Sequence, residues 1–194
     1  MQLSDLDISK TYTYADYLKW TFDERLELIK GKIFKMSPAP GSVHQRLSIR
    51  LTRWIGNYLE GKKCEVFHAP FDVRLTRKAV DDQQIITVVQ PDLCVVCDPL
   101  KIDGKGCLGA PDIVLEILSP GNNRKELKNK YEVYEETGVL EYWIVQPDEK
   151  TFLKYTLVNG KFQPSRLLTL GDEVTTPILP GFVLNLDDLF AEKN

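Results

Sequence analysis

The chain has 194 residues, 43% of them hydrophobic and 27% charged, and its 25 basic and 28 acidic residues leave a net charge of −3. That length suits a single domain over residues 1–194 with a sizeable buried core, and no run approaches the roughly 18 apolar residues of a membrane span. The polar start MQLSDLDISK lacks the apolar centre of a signal peptide, which makes the cytoplasm the expected compartment, and the acidic balance means that any nucleic-acid binding must rest on local patches.

In chain order, TYTYADYLKW opens with a threonine cap candidate and predicts a short helix over Tyr14 to Lys19. LELIKGKIFKMSP follows, two apolar runs around Lys30-Gly31, the pattern of a β-hairpin closed by Pro38 and Pro40. From Ser42 to Tyr58, Val43, Leu47, Leu51, Ile55 and Tyr58 recur at three- and four-residue spacing. This predicts an amphipathic helix capped by Ser42. Arg46, Arg50 and Arg53 form a second stripe on it, either a solvated face or a track for phosphates.

Strand-like runs come next at Cys64 to Leu75, Ile85 to Val89, Asp92 to Cys97 and Asp112 to Leu118. A turn over Ser119 to Asn123 leads into a helix stopped by Gly138. EYWIVQP is rich in β-formers, and FLKYTLVNGKFQP predicts a hairpin about Asn159-Gly160. The class is α+β: a mixed β-sheet core flanked by helices, with additional β-hairpins at both ends.

Four cysteines, Cys64, Cys94, Cys97 and Cys107, raise a metal or redox reading. CVVC lies inside a strand-like run, where residues three apart point to opposite faces, and no second pair follows at zinc-site spacing. The expectation is four buried, reduced thiols.

The chemistry-bearing runs are QPDLCVV, GAPDIVLEILSP and the helix carrying Glu126 and Lys130. A carboxylate among buried β-branched residues is costly unless it is paired, hydrogen-bonded or bound to a cation. Alternation puts Asp112, Val114 and Glu116 on one face and Ile113, Leu115 and Ile117 on the other. Adjacent strands presenting Asp92 and Glu116 toward one point would make an oxygen-rich site for Mg²⁺ or Mn²⁺. Simpler roles compete. Asp92, Asp112 and Asp72 could cap turns, Glu116 could sit in a buried salt bridge, and His44 could cap or pack the helix. Lys130 could merely pair with Glu126 one turn away, and the Arg124, Lys125, Lys128 and Lys130 cluster is either a solvated face or a grip on phosphates.

Taken together, LELIKGKIFKMSPAP with His44 after it, FDVRL, QPDLCVV, APDIVLEILSP, the Glu126, Lys130, Tyr134 helix and GVLEYWIVQP resemble a bacterial family. It is the Uma-type restriction-endonuclease-like family of the PD-(D/E)XK superfamily, and the resemblance runs from about Leu26 to Pro147. It implies a restriction-endonuclease-like core, Asp92 and Glu116 as metal ligands, and a catalytic lysine displaced onto the helix at Lys130. It also implies that Glu27 faces the site. The superfamily's lysine two residues after the glutamate is here Leu118, and at position 126 the family more often has Asp.

The function expected on this basis is a Mg²⁺- or Mn²⁺-dependent DNA endonuclease. Asp92, Glu116 and the Ile117 carbonyl would hold the metal, Lys130 would position the attacking water, and Glu27 and His44 would stand close by. DNA is the expected partner and a homodimer the expected assembly, the latter by analogy with nucleases that cut both strands. Leu118 and the acidic net charge favour the competing reading, a catalytically degenerate nuclease fold that binds nucleic acid or protein. A third reading is a structural protein whose two acids belong to a buried ion pair.

Overall fold

The computed structural model describes residues 3–21, 23–36, 41–78, 80–119 and 124–192, the side chains of 124–126 excepted. Helices are α1 (Tyr14–Tyr17), α2 (Ser42–Leu59), α3 (Arg124–Thr137) and α4 (Leu186–Phe190). Strands up to the centre of the chain are β1 (Leu26–Ile29), β2 (Lys32–Lys35), β3 (Glu65–His68), β4 (Val73–Arg74), β5 (Val88–Val89) and β6 (Leu93–Val96). They continue as β7 (Ile102–Asp103), β8 (Gly106–Leu108), β9 (Ile113–Ile117), β10 (Glu141–Gln146), β11 (Thr151–Val158), β12 (Lys161–Pro164), β13 (Glu173–Thr175) and β14 (Val183–Asn185).

One six-stranded sheet runs β2-β1-β5-β4-β8-β7, a second runs β12-β11-β10-β9-β6-β3, and β13 pairs with β14 alone. The second sheet is mixed. Its parallel pair, β9 with β10, is joined through α3, as a parallel connection requires. Alternation along β9 then sorts the layers. Ile113, Leu115 and Ile117 pack with Leu47, Leu51 and Ile55 of α2, together with Trp143 and Val145. Val114 packs instead with Val133 and Tyr134 of α3 and with Ile29, Val73 and Val89 of the first sheet. The second sheet is thus covered by α2 on one face, and by α3 and the first sheet on the other.

The hairpins form as their turn residues predict. Lys30 and Gly31 take φ of 52° and 75°, and Asn159 and Gly160 take 51° and 77°, the positive pairs a two-residue hairpin turn needs. Gly106 (φ +117°) allows β8 to press against β4, because a Cβ there would sit 2.2 Å from the Asp72 carbonyl oxygen.

Several expectations need correction. The run from Cys64 to Leu75 is two strands in different sheets, β3 and β4, broken around Pro70, which has no N–H to give a ladder. Gly41, not Ser42, is the N-cap of α2 and offers no side-chain cap. Val43 is 52% exposed, while His44 beside it is buried, so the buried stripe of α2 starts at the histidine. The cysteines are not all reduced: Cys64 and Cys97 form a disulfide, and only Cys94 and Cys107 are free and buried. The β3–β6 register pairs Glu65 with Val96, and one step further it sets Cys64 opposite Cys97. Most of the expected turn over Ser119 to Asn123 lies outside the described residues, as do the side chains of Arg124, Lys125 and Glu126.

Leu51 is fully buried at the centre of the α2 contact. Leu51→Ala should therefore cost about 2–5 kcal/mol of stability, read as a lowered denaturation midpoint in urea.

Candidate functional site

β6 and β9 are antiparallel, with Leu93 opposite Leu115 and Cys94 opposite Val114. Continued by one residue, that register sets Asp92 opposite Glu116, so the two acids leave neighbouring strands on the same face. The ladder ends here, and the cleft begins.

Glu116 is the buried member. Its Oε1 accepts from Lys130 Nζ at 3.0 Å and from the Tyr134 hydroxyl at 2.9 Å, two donors one turn apart on α3. Lys130 Nζ also lies 3.1 Å from Glu27 Oε1, on β1 of the other sheet. That same oxygen accepts from the Gln90 backbone N–H at 2.8 Å. Glu27, Glu116, Lys130 and Tyr134 are all buried.

Burial, with Asp92 and Glu27 close by, pushes the Glu116 carboxyl up from 4.5 to about 7, against the opposing pull of Lys130. Burial alone would lower Lys130, but Glu116 and Glu27 outweigh it and hold the ammonium well above its ordinary value. Lys130 is therefore a fixed cation, and Glu116 is the group that titrates near neutrality.

Asp92 is held from two sides. Its Oδ2 accepts from the Ile117 backbone N–H at 2.7 Å and lies 3.2 Å from His44 Nε2. Burial opposes protonation of His44, but the hydrogen bond and charge of Asp92, with the Ile117 backbone and Glu116, raise it overall. His44 reaches Asp92 from the first turn of α2, which explains why that turn buries its histidine.

The structure brings together all six residues expected at the site: Asp92, Glu116, Ile117, Lys130, Glu27 and His44. Among the described residues Glu116 pairs with a lysine rather than an arginine, and Lys130 with Glu27 and Glu116, while the Glu126 side chain lies outside the described residues. Asp112 and Asp72 bond to distant segments of the chain rather than to their own turns. Asp112 accepts from the Cys97 N–H at 2.7 Å, and Asp72 from Gln90 Nε2 at 2.8 Å. Arg50 leaves the arginine stripe to donate to the Leu189 carbonyl at 2.7 Å. Tyr134 was not singled out from sequence as a partner of Glu116, although its four-residue spacing from Lys130 carried that signal.

A cleft of about 580 Å³ opens over these groups, lined by Asp92, Glu116, Ile117, Leu118 and Lys130 at its buried end. Two carboxylates on adjacent strands offer oxygen donors, the type that suits Mg²⁺ or Mn²⁺. Among the described residues no three His, Cys, Asp or Glu side chains converge on one point as a ready metal cluster. A cation here would complete its shell with water, as Mg²⁺ commonly does. The charges fit such an ion. Glu116 and Glu27 share one ammonium, with Asp92 beside Glu116 and bonded to His44, so the carboxylates outnumber the fixed cation once Glu116 ionises.

The raised Glu116 carboxyl has a sign that can be measured without any ligand. Between about pH 4.5 and 7 the folded protein keeps a proton on Glu116 that the unfolded chain has released. Its contribution therefore lowers stability as pH rises through that window. Glu116→Gln should remove this slope, so that the wild type loses stability relative to the variant between pH 4.5 and 7 in urea titrations.

Comparison with known proteins bears on the family and the fold. The model of the Uma2 family, described as "Putative restriction endonuclease", matches residues 14–187. An uncharacterised protein of Synechocystis sp. is 26% identical over 132 residues, which is 67% of this chain and 65% of that protein, so the match spans less than two thirds of the relative. The crystal structure of "a putative nuclease belonging to DUF820" from Anabaena variabilis superposes with a TM-score of 0.74 at 21% identity, covering 93% of this chain and 98% of that one. At that identity the likeness establishes a shared nuclease-type fold. With nearly the whole described core inside the family match, the chain belongs to the Uma2 family of restriction-endonuclease-like proteins.

Proposed function

We propose that this protein is a divalent-cation-dependent DNA endonuclease working at the Asp92–Glu116 pair. The observation that carries the reading is the β6–β9 register, which sets two carboxylates side by side at the buried end of a cleft, with a fixed ammonium against one of them. Asp92, Glu116 and the Ile117 carbonyl would hold the cation. Bound there, Mg²⁺ or Mn²⁺ supplies charge neutralisation for the phosphate and an acidified water.

The chain's own residues divide the remaining work. Lys130 keeps its proton, so it serves as a donor that orients the attacking water and meets the charge growing on the phosphate, rather than as a base. Glu27 holds Lys130 from the other sheet. His44 and the Ile117 N–H fix the rotamer of Asp92, and Tyr134 does the same for Glu116. Glu116 must be ionised to act as a ligand, so activity should rise with pH up to about 7. A homodimer is proposed only by analogy with nucleases of this kind that work as dimers. Among the described residues no helix is long and apolar enough to cross a membrane.

One observation favours the competing reading of a binding module without turnover: Leu118 lines the cleft where the superfamily lysine would stand, and Lys130 is already engaged by two carboxylates. Plasmid DNA incubated with Mg²⁺ or Mn²⁺ separates the two. The endonuclease reading expects nicking that falls to background in Asp92→Ala and Glu116→Ala, and about 100-fold slower turnover in Lys130→Ala. Nicking that survives both acid substitutions would overturn the assignment, and salt-sensitive DNA binding without nicking would establish the binding module.

A further inference from the structure

The reacting groups lie in a recess whose described lining suits one exposed nucleotide. The reacting groups are recessed, with side-chain exposures of 21% for Asp92, 10% for Glu116 and 6% for Lys130. A regular duplex is a stiff rod with its phosphates on a convex surface, and its major groove alone is about 12 Å wide. A cleft of about 580 Å³ is on the scale of small-ligand pockets, roughly 300–1,000 Å³.

Its walls are chemically divided. Helix α2 turns Gln45, Ser48, Ile49, Thr52 and Arg53 toward the cleft, at three- and four-residue spacing, while its opposite face fills the core. Ile49 is 65% exposed there, and Leu118, Leu127 and Met36 line the same space. Aliphatic surface gives nothing to a phosphate chain but suits the flat face of a base. Among the described residues, the arginines that line the cleft are Arg25 and Arg53. Arg25 donates to Gln90 Oε1 at 2.6 Å, and Arg53 forms no ion pair among the described residues. Two arginines suffice to hold a short run of backbone phosphates. No Phe, Tyr or Trp lines the cleft among the described residues, so base contact would be aliphatic and tolerant of sequence.

We propose that the substrate reaches Asp92 and Glu116 as an unpaired nucleotide, a strand end, flap or extruded base, with its base against Ile49, Leu118 and Leu127 and its phosphates near Arg25 and Arg53. The inference rests on the nuclease reading for the identity of the polymer. Extruding a paired base carries an unstacking cost that is least where the strand is already open, so open structures are the favoured targets.

The test is fluorescence anisotropy of the wild type in Ca²⁺ with a labelled oligodeoxythymidylate of about 12 nucleotides and a blunt GC-rich duplex of the same length. The single strand should bind at least about tenfold tighter. Ile49→Asp and Arg53→Glu, both at exposed positions and checked for retained circular dichroism, should each weaken that binding by about tenfold and weaken duplex binding less, so that the single-strand preference narrows. Equal or tighter duplex binding, no saturable binding of either DNA, or indifference to both variants would overturn the proposal. A parallel arm with Mn²⁺ separates the two readings. A single-strand binding preference with no cleavage of any DNA contradicts the nuclease and leaves this inference standing. Efficient cutting of intact duplex without that preference contradicts this inference alone.

Discussion

One ammonium group joins three parts of the molecule at the head of the cleft. Lys130 comes from α3, Glu27 from the first sheet and Glu116 from the second, and Lys130 Nζ lies 3.1 Å and 3.0 Å from the two carboxylates. Removing charges from water is costly, and a buried ion pair often gives no more stability than a well-packed apolar cluster of the same volume. Here one cation faces two carboxylates, with Asp92 adjacent, which is a poor bargain for a protein that only needs to fold. The arrangement becomes reasonable if the acids are kept ready for a further positive charge. Glu116, pushed up to about 7, is where that shortage is felt.

Around this point the fold works as a set of positioning devices. The β6–β9 register decides that Asp92 and Glu116 are neighbours. The parallel β9–α3–β10 connection returns the chain so that Lys130 and Tyr134 lie over Glu116. The α2 helix, anchored through Leu47, Leu51 and Ile55, delivers His44 to Asp92 from its first turn and gives its outer face to the cleft. The same helix therefore supports a metal-ligand candidate and shapes the approach to it. The net charge of −3 says little about such a site, because what matters is which few charges stand at the mouth and which are buried.

Much of this was legible in the residues, for local reasons. Period-two alternation through DIVLEI put Glu116 on a buried face, and three-and-four spacing marked α2. Lys30-Gly31 and Asn159-Gly160 marked hairpins that need positive φ. What could not be read depends on contacts across sheets. The Cys64–Cys97 disulfide exists because β3 lies beside β6, and no spacing in the chain announces that pairing. Glu27 was expected at the site through the family resemblance alone, since its own surroundings in the sequence show an acid in a hairpin and its bond to Lys130 requires the two sheets to meet. Glu141 is similar: fully buried on β10, it accepts from Trp143 Nε1 at 2.8 Å and is served by Lys154, although it reads as an ordinary strand-entry charge. Ser42 misled for a different reason, since a good capping residue is no guarantee that the helix starts after it.

The central claim is that Asp92 and Glu116 form a cation site, and the most direct measurement of it is anomalous diffraction from a crystal soaked in Mn²⁺ at a pH above 7. The account predicts a single strong peak about 2.0–2.3 Å from a carboxylate oxygen of each acid and from the Ile117 carbonyl, with waters completing the shell. Glu116→Gln should lose that peak. A crystal with no peak at this pair, or with manganese bound only elsewhere, would contradict the account and leave a buried ion-pair network as the better description of these residues.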